Sequence, residues 1–414
     1  MVKRGKCGRY YDDDEFGIYL ILYPPMKFSC STSNLQQALN LVSRAIGTQQ
    51  ALPILGNILM EAEGKRCTVS ATDLELSIIT NFEAKIENEG SITIPAKAIL
   101  NFAQYSNDPE VLLETSEGTQ LKCTSKHGKT LIAGEAATEY PTISTVEKQT
   151  SFTLEAAPLL EALHMVTFAS AKTSLRPVLS GVYVRTEKGK LVLVATDSYR
   201  LSEYKMPAEG GPADISCIIP TKILEELKVI LGSKRGEKNA KEGKENKDGR
   251  EDRKESVKVE VTLSRQQVEF QINHTRLLSR LIDGKFPDYE QIIPKEKKTT
   301  ALFNTKELLI TTRRMHYFAK EMNNNLTFHV GKDQTKIITP QTQAGRDEAM
   351  LSVERTGGDN KIALSSSYLL DFLGHLESET TEMRIVDGMH PAVFATPENP
   401  HFLHLIMPLR MHDE

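Results

Sequence analysis

The sequence predicts an α+β protein made of three similar domains, each with two helices packed on β-sheets. Two sets of internal repeats and one duplicated phrase predict it. The first set is FSCSTSNLQQALNLVSRAI (Phe28 to Ile46), FTLEAAPLLEALHMVTFAS (Phe152 to Ser170) and LFNTKELLITTRRMHYFAK (Leu302 to Lys320). Each reads as a short strand running into a helix. The second set is SITIPAKAILNF (Ser91 to Phe102), SCIIPTKILEEL (Ser216 to Leu227) and, more loosely, KIALSSSYLLDFL (Lys361 to Leu373). Here too a β run meets a turn residue and then a helical pattern. The duplicated phrase is CTVSATDLELSI (Cys67 to Ile78), which returns as LVLVATDSYRLS (Leu191 to Ser202).

The first-set helices carry apolar or small residues at Leu35, Leu39, Val42 and Ile46, then at Leu159, Leu163, Val166 and Ser170, then at Leu308, Thr312, Met315 and Ala319. That spacing is one stripe of an α-helix. Basic residues fall off the stripe. Lys306, Arg313 and Lys320 lie on the opposite face of the third copy, and Arg44 points the same way in the first. The second copy offers His164 and, to one side, Lys172; Lys97 and Lys222 open the second-set helices. A lone basic residue on a helix is ordinarily a solvated face. Recurrence across copies argues for a shared basic surface.

Composition bounds the function. Apolar residues are 39% and charged residues 26%, enough for real cores and ordinary for a globular chain. The net charge of −4 does not advertise a nucleic-acid binder, so such a role needs segregated charge. No apolar run reaches the roughly 18 residues of a membrane span. Cys7, Cys30, Cys67, Cys123 and Cys217 are scattered singly, which fits a reducing cytoplasm and neither a disulfide framework nor a zinc knuckle. The stretch Ser233 to Glu255 is rich in Lys, Glu and Gly, has no large apolar residue, and reads as a disordered insertion inside the second domain.

A search for catalytic chemistry finds none. There is no phosphate-cradling glycine loop, no HExxH, no GxSxG and no His/Cys clustering, so no metal site or cofactor is expected. Asp73 and Asp197, which end the duplicated strands, have different neighbours: Leu-Glu after one, Ser-Tyr-Arg after the other. A catalyst needs a fixed constellation, whereas an Asx-turn needs only the turn, so both aspartates read as corners. Two other readings stand beside a binding protein. One is an enzyme using Asp197 and Arg200 in a cleft; the other is a repeat scaffold with merely solvated basic faces.

The segments LPILGNILMEAEGKRCTVSATDLELSI (Leu52 to Ile78), RPVLSGVYV (Arg176 to Val184), ATDSYRLS, LIDGKFPDYEQIIP (Leu281 to Pro294) and MPLRM (Met407 to Met411) together resemble the bacterial DNA polymerase III beta subunit family, the replicative sliding clamps. The resemblance runs from Met26 to Met411. It implies a DNA-clamp fold with an N-terminal extension over 1–25 and domains over 26–148, 149–295 (with the insertion 233–255) and 296–414. It further implies a non-catalytic homodimeric ring, closed head to tail, with helices around duplex DNA.

The basic positions above then face DNA, and Gln49 sits where family members commonly carry Arg in a DNA-contact loop. The family's dimer contacts fall on Ile132, Tyr317 and Phe318. Its peptide cleft, used by the clamp loader, the polymerase alpha subunit, other polymerases and repair proteins, falls first on Leu179, Thr196, Ser198, Tyr199, Arg200 and Leu201. Pro287 and Ile292 come next. The far side is Ser365, Tyr368, Met389 and Pro391, then Leu405, Ile406, Met407, Pro408, Leu409, Arg410 and Met411. Three departures stand out. Ser198 replaces a family Gly, the insertion is extra, and His412 to Glu414 extend past the usual end.

Overall fold

A computed structural model describes residues 25–47, 51–116, 119–173, 175–208, 214–232 and 257–411. The extension over 1–24, Gln49, the insertion and the last three residues therefore lie outside the described residues. The chain divides into two compact units, one of Met1–Thr145 with Asn273–Leu277 and one of Val146–Ile272 with Leu278–Glu414.

Every repeat read from the sequence as strand-then-helix is one. Strands Lys27–Ser31, Thr150–Glu155 and Thr299–Asn304 lead into α1 (Thr32–Val42), α3 (Ala156–Val166) and α5 (Thr305–Ala319). Strands Gly90–Pro95, Ser216–Pro220 and Asn360–Ser365 lead into α2 (Ala96–Tyr105), α4 (221–232) and α6 (Ser366–Leu373). The predicted stripe is the buried face: Leu35, Leu39 and Val42 in α1, Leu159, Leu163 and Val166 in α3, Leu308, Thr312 and Met315 in α5. The helices end sooner than the stripes. After Val42 and Val166 the chain tightens into one 3-10 turn, so Ile46 and Ser170 come after the helices they were assigned to.

The first unit holds an antiparallel five-stranded sheet in the order Lys85–Asn88, Lys27–Ser31, Glu110–Ser116, Gln120–Thr124, Lys129–Ala133. Beside it run Leu76–Glu83, Arg66–Thr72, Asn57–Glu63 and Gly90–Pro95, hydrogen-bonded in that order. Ile58, Met60, Val69, Ile78 and Ile94 on these strands are fully buried, and burial alternates cleanly along Leu76–Glu83.

The second unit contains both the second and the third repeat. A seam joins these two. Strand Arg200–Pro207 of the second repeat pairs antiparallel with strand Asn399–Ile406 of the third, Leu201 opposite Leu405 and Ser202 opposite His404. One nine-stranded sheet therefore runs through both repeats. Within this unit, backbone hydrogen bonding joins the second and third repeats.

Candidate partner-binding cleft

The seam begins at the second ATD corner, so the corner comes first. Asp197 Oδ1 accepts the N–H groups of Tyr199 (2.9 Å) and Arg200 (3.0 Å). The Thr196 hydroxyl donates to the Arg200 carbonyl (2.6 Å) and accepts from the Ser198 N–H (3.1 Å). Ser198 has φ of 80°, in the left-handed region where a side chain is strained. That accounts for the glycine common at this position in the resembling family. Asp197 is a corner, as its residue type and place suggested.

The corner aims Arg200 inward, where it is 5% exposed. Its Nε donates to Asp197 Oδ2 (3.0 Å) and its Nη1 to Asp371 Oδ2 of α6 (2.7 Å). The guanidinium lies 4.8 Å from the Tyr368 ring and 5.6 Å from the Phe168 ring. Tyr199 turns outward, 61% exposed, and stacks with Tyr368 at 6.4 Å.

The C-terminal segment closes the other side. Leaving its strand, Met407 donates its N–H to the Tyr199 carbonyl (2.8 Å), and Leu409 donates to the Ala363 carbonyl (2.8 Å). Asn325 then holds the Arg410 carbonyl at 2.9 Å. Beneath lies an apolar floor of Val192, Val194, Leu201, Ile218, Phe286, Tyr289 and Leu405, with Met407, Ile293 and Val178 packed on it. Tyr289 is fixed there by donating to Glu203 (2.6 Å); burial first, then that bond, pushes its hydroxyl above its usual range.

The residues expected for the cleft thus divide by depth. Leu179, Thr196, Leu201, Ser365, Pro391, Leu405 and Ile406 are buried and can only support a ligand. Tyr368, Met407, Pro408 and Leu409 are half-buried, while Ser198, Tyr199, Pro287, Ile292, Met389, Arg410 and Met411 are exposed. Met411 folds back onto Gly388, whose added Cβ would lie 2.9 Å from the Met411 Cε. Sequence reasoning missed Asp371 and Phe168, which frame Arg200, and it missed a third corner. Asp387 accepts from the N–H groups of Met389 (2.9 Å) and His390 (3.1 Å), without any ATD phrase to announce it. The His390 ring, 2.7 Å away, is the main reason its carboxyl falls to about 2.

The other expected positions lie on several elements of the two units. Lys306, Arg313 and Lys320 are exposed, opposite the buried face of α5, and Arg44, Lys97, Lys172 and Lys222 are also exposed. His164 differs. It is half-buried against His375 at 4.6 Å, and burial, then His375, holds its imidazole below its ordinary range, so it brings little charge. It lines a cavity of about 940 Å³ with Glu161, Tyr204 and His375; a second, of about 1130 Å³, is lined by Arg185, Arg265, Arg280 and Pro287. Ile132 is only 6% exposed inside its own unit, whereas its neighbour Leu131 is 57% exposed. Tyr317 is 70% exposed, edge-on to Phe318 at 5.3 Å.

Among the described residues, no group of His, Cys, Asp and Glu is arranged to hold a metal, and no helix is long and apolar enough to cross a membrane. Burial raises the thiols of Cys30, Cys123 and Cys217 to about 12, which leaves them poor nucleophiles.

Comparison with known proteins agrees along the chain. Three family models match: DNA polymerase III beta subunit, N-terminal domain (residues 26–144), central domain (153–241) and C-terminal domain (290–410). A beta sliding clamp of Synechocystis is 28% identical over 93% of this chain and all of its own length, and that of Caulobacter vibrioides is 27% identical with the same coverage. The DNA polymerase sliding clamp of Bacillus subtilis superposes with a TM-score of 0.83 at 25% identity, covering 94% of this chain and all of that one. A Bartonella birtlesii clamp solved with griselimycin bound gives 0.83 at 26% identity, with the same coverage. With three consecutive domain models and full-length relatives in agreement, the chain belongs to the DNA polymerase III beta subunit family, the beta sliding clamps.

Proposed function

We propose that two copies of this chain close head to tail into a ring around duplex DNA and tether the replicative polymerase to it. The chain is a non-catalytic component of DNA polymerase III, working in the cytoplasm. Its job is persistence. A ring stays on DNA by topology, so its contacts need only be shallow and indifferent to sequence, which phosphate-directed Lys and Arg supply. The observation that carries this reading is the end-to-end, three-domain likeness to sliding clamps. The exposed Lys306 and Arg313 of α5, with Lys320 in the turn that follows, support it as a DNA-facing surface.

Ring closure would use the aromatic pair Tyr317 and Phe318 of one copy against the edge strand Lys129–Ala133 of the other. Leu131 presents the side chain there and Ile132 backs it from within. Exposed apolar groups on an unpaired strand edge ask for a partner. The cleft around Tyr199, Tyr368 and Met407 suits a short hydrophobic, Gln-led peptide from the clamp loader, the polymerase alpha subunit or repair proteins, because methionine and aromatic walls adapt to varied side chains.

The test is retention on DNA. Loaded by a clamp loader and ATP, the protein should stay on closed circular DNA at high salt and leave when the circle is cut. Equal retention on both forms would refute encirclement.

A further inference from the structure

Arg200 stands in the cleft wall, 5% exposed, with two of its three guanidinium nitrogens already donating to acids. Nε is bound to Asp197 and Nη1 to Asp371, with Tyr368 and Phe168 within cation–π reach of the guanidinium. Asp371 and Tyr368 sit three apart on α6, so one helical turn supplies both an acid and a ring. The frame is held from behind. The Asp371 carbonyl lies 2.6 Å from His375 Nδ1, and the His375 ring stacks on Phe168 at 4.3 Å. At this point of the wall one guanidinium is therefore shared by two carboxylates.

We propose that Asp371 is a specificity-determining positioning residue: by neutralising Arg200 it makes the cleft select an uncharged hydrophobic motif over one bearing a carboxylate. The inference rests on the cleft reading above. A free guanidinium on an apolar trough is a strong bidentate carboxylate receptor. With two acids attached, an arriving carboxylate finds those donors taken and meets like charge. An amide of the same shape suffers neither penalty.

The experiment uses two hydrophobic peptides that differ only in a leading Gln or Glu, titrated by fluorescence anisotropy into the full chain. The wild type should prefer the Gln peptide by roughly tenfold at low salt, the size of one like-charge contact at a half-exposed site. Asp371→Asn should shrink that preference at least about threefold, and Asp371→Glu should restore it. The wild-type preference should also narrow as salt rises, a measurement that needs no variant. Three results overturn the assignment: a Glu peptide bound as tightly as the Gln peptide, a preference untouched by Asp371→Asn, or one indifferent to salt. Should Asp371→Asn lose both peptides, the salt series on the wild type decides. Failure of the wild type to bind the Gln peptide at all would instead remove the cleft reading on which this rests.

Discussion

Two corners of this molecule share a backbone and differ in purpose. At the first, Asp73 Oδ1 accepts from Glu75 (3.0 Å) and Leu76 (2.7 Å), and Thr72 bonds the Leu76 carbonyl (3.1 Å) and the Leu74 N–H (3.0 Å). Leu74 has φ of 77°, against 80° for Ser198 at the second corner. The hydrogen bonds match one for one. The first corner then ends in Leu76, which is 1% exposed, and Tyr140 braces it by accepting the Thr72 N–H (3.1 Å). The second ends in Arg200, held by two acids, and gives its Tyr199 carbonyl to the C-terminal segment. A repeated turn is a neutral platform. The three residues after the Asp decide whether it closes a core or forms part of the proposed cleft.

Exchanging the final residues should break this comparison hardest. Leu76→Arg would force a guanidinium into a fully buried apolar position with Asp73 as the acid of the corner to receive it, costing about 3 kcal/mol and destabilising the first unit in denaturant titrations. The reverse change, Arg200→Leu, leaves Asp371 without its cation and Asp197 with its backbone partners alone. Because Asp371 is 49% exposed, the cost should fall to about 2 kcal/mol, with loss of peptide binding as the larger sign.

Acid separates the regions next. His404, fully buried across the seam from Ser202 (2.8 Å), has its imidazole held well below the ordinary value by burial and then by Arg200. Its folded form binds protons less readily than the unfolded chain, so its stabilisation is complete above about pH 6.5 and is lost as pH falls below it. The slope should approach about 1.4 kcal/mol per pH unit, read as an acid-dependent fall in melting temperature of the second unit. A His404→Phe variant should flatten that slope.

Removing the corner acids should give a graded pair. Asp73→Ala should cost about 1 kcal/mol, the usual worth of a side-chain cap on backbone N–H groups, with peptide binding intact. Asp197→Ala should cost at least as much and weaken the peptide too. The smallest effects run the other way. Leu74→Gly and Ser198→Gly should each stabilise by up to about 1 kcal/mol by relieving left-handed backbone, seen as a small rise in denaturation midpoint.

The repeats made much of the fold legible. The strand–helix units and buried stripes come from 3.6-residue periodicity, and Asp73 and Asp197 were readable as corners because an Asx-turn depends on one residue. The seam was not legible, since pairing of Arg200–Pro207 with Asn399–Ile406 is a contact about two hundred residues apart in sequence that no local pattern encodes. The same limit hid Asp371 and Phe168, which look like ordinary helix-face residues until Arg200 is placed between them. Ile132, named from the family resemblance, is buried within its own unit while Leu131 beside it is exposed, a difference that the short edge strand does not announce by alternation. The Asp387 corner carries no repeated phrase, so only backbone geometry reveals it.

The most direct measurement converts the second corner into the first. A variant carrying Ser198→Leu, Tyr199→Glu and Arg200→Leu keeps Thr196 and Asp197 and hence the turn. Its affinity for a Gln-led hydrophobic peptide and its retention on circular DNA should be measured on the same preparation. Peptide affinity should fall more than about tenfold, as expected when central anchors are lost, while retention on the circle stays at the wild-type level. Unchanged peptide binding, or equal loss of both activities, would contradict the claim that this corner has become a partner site separate from the DNA-facing surface.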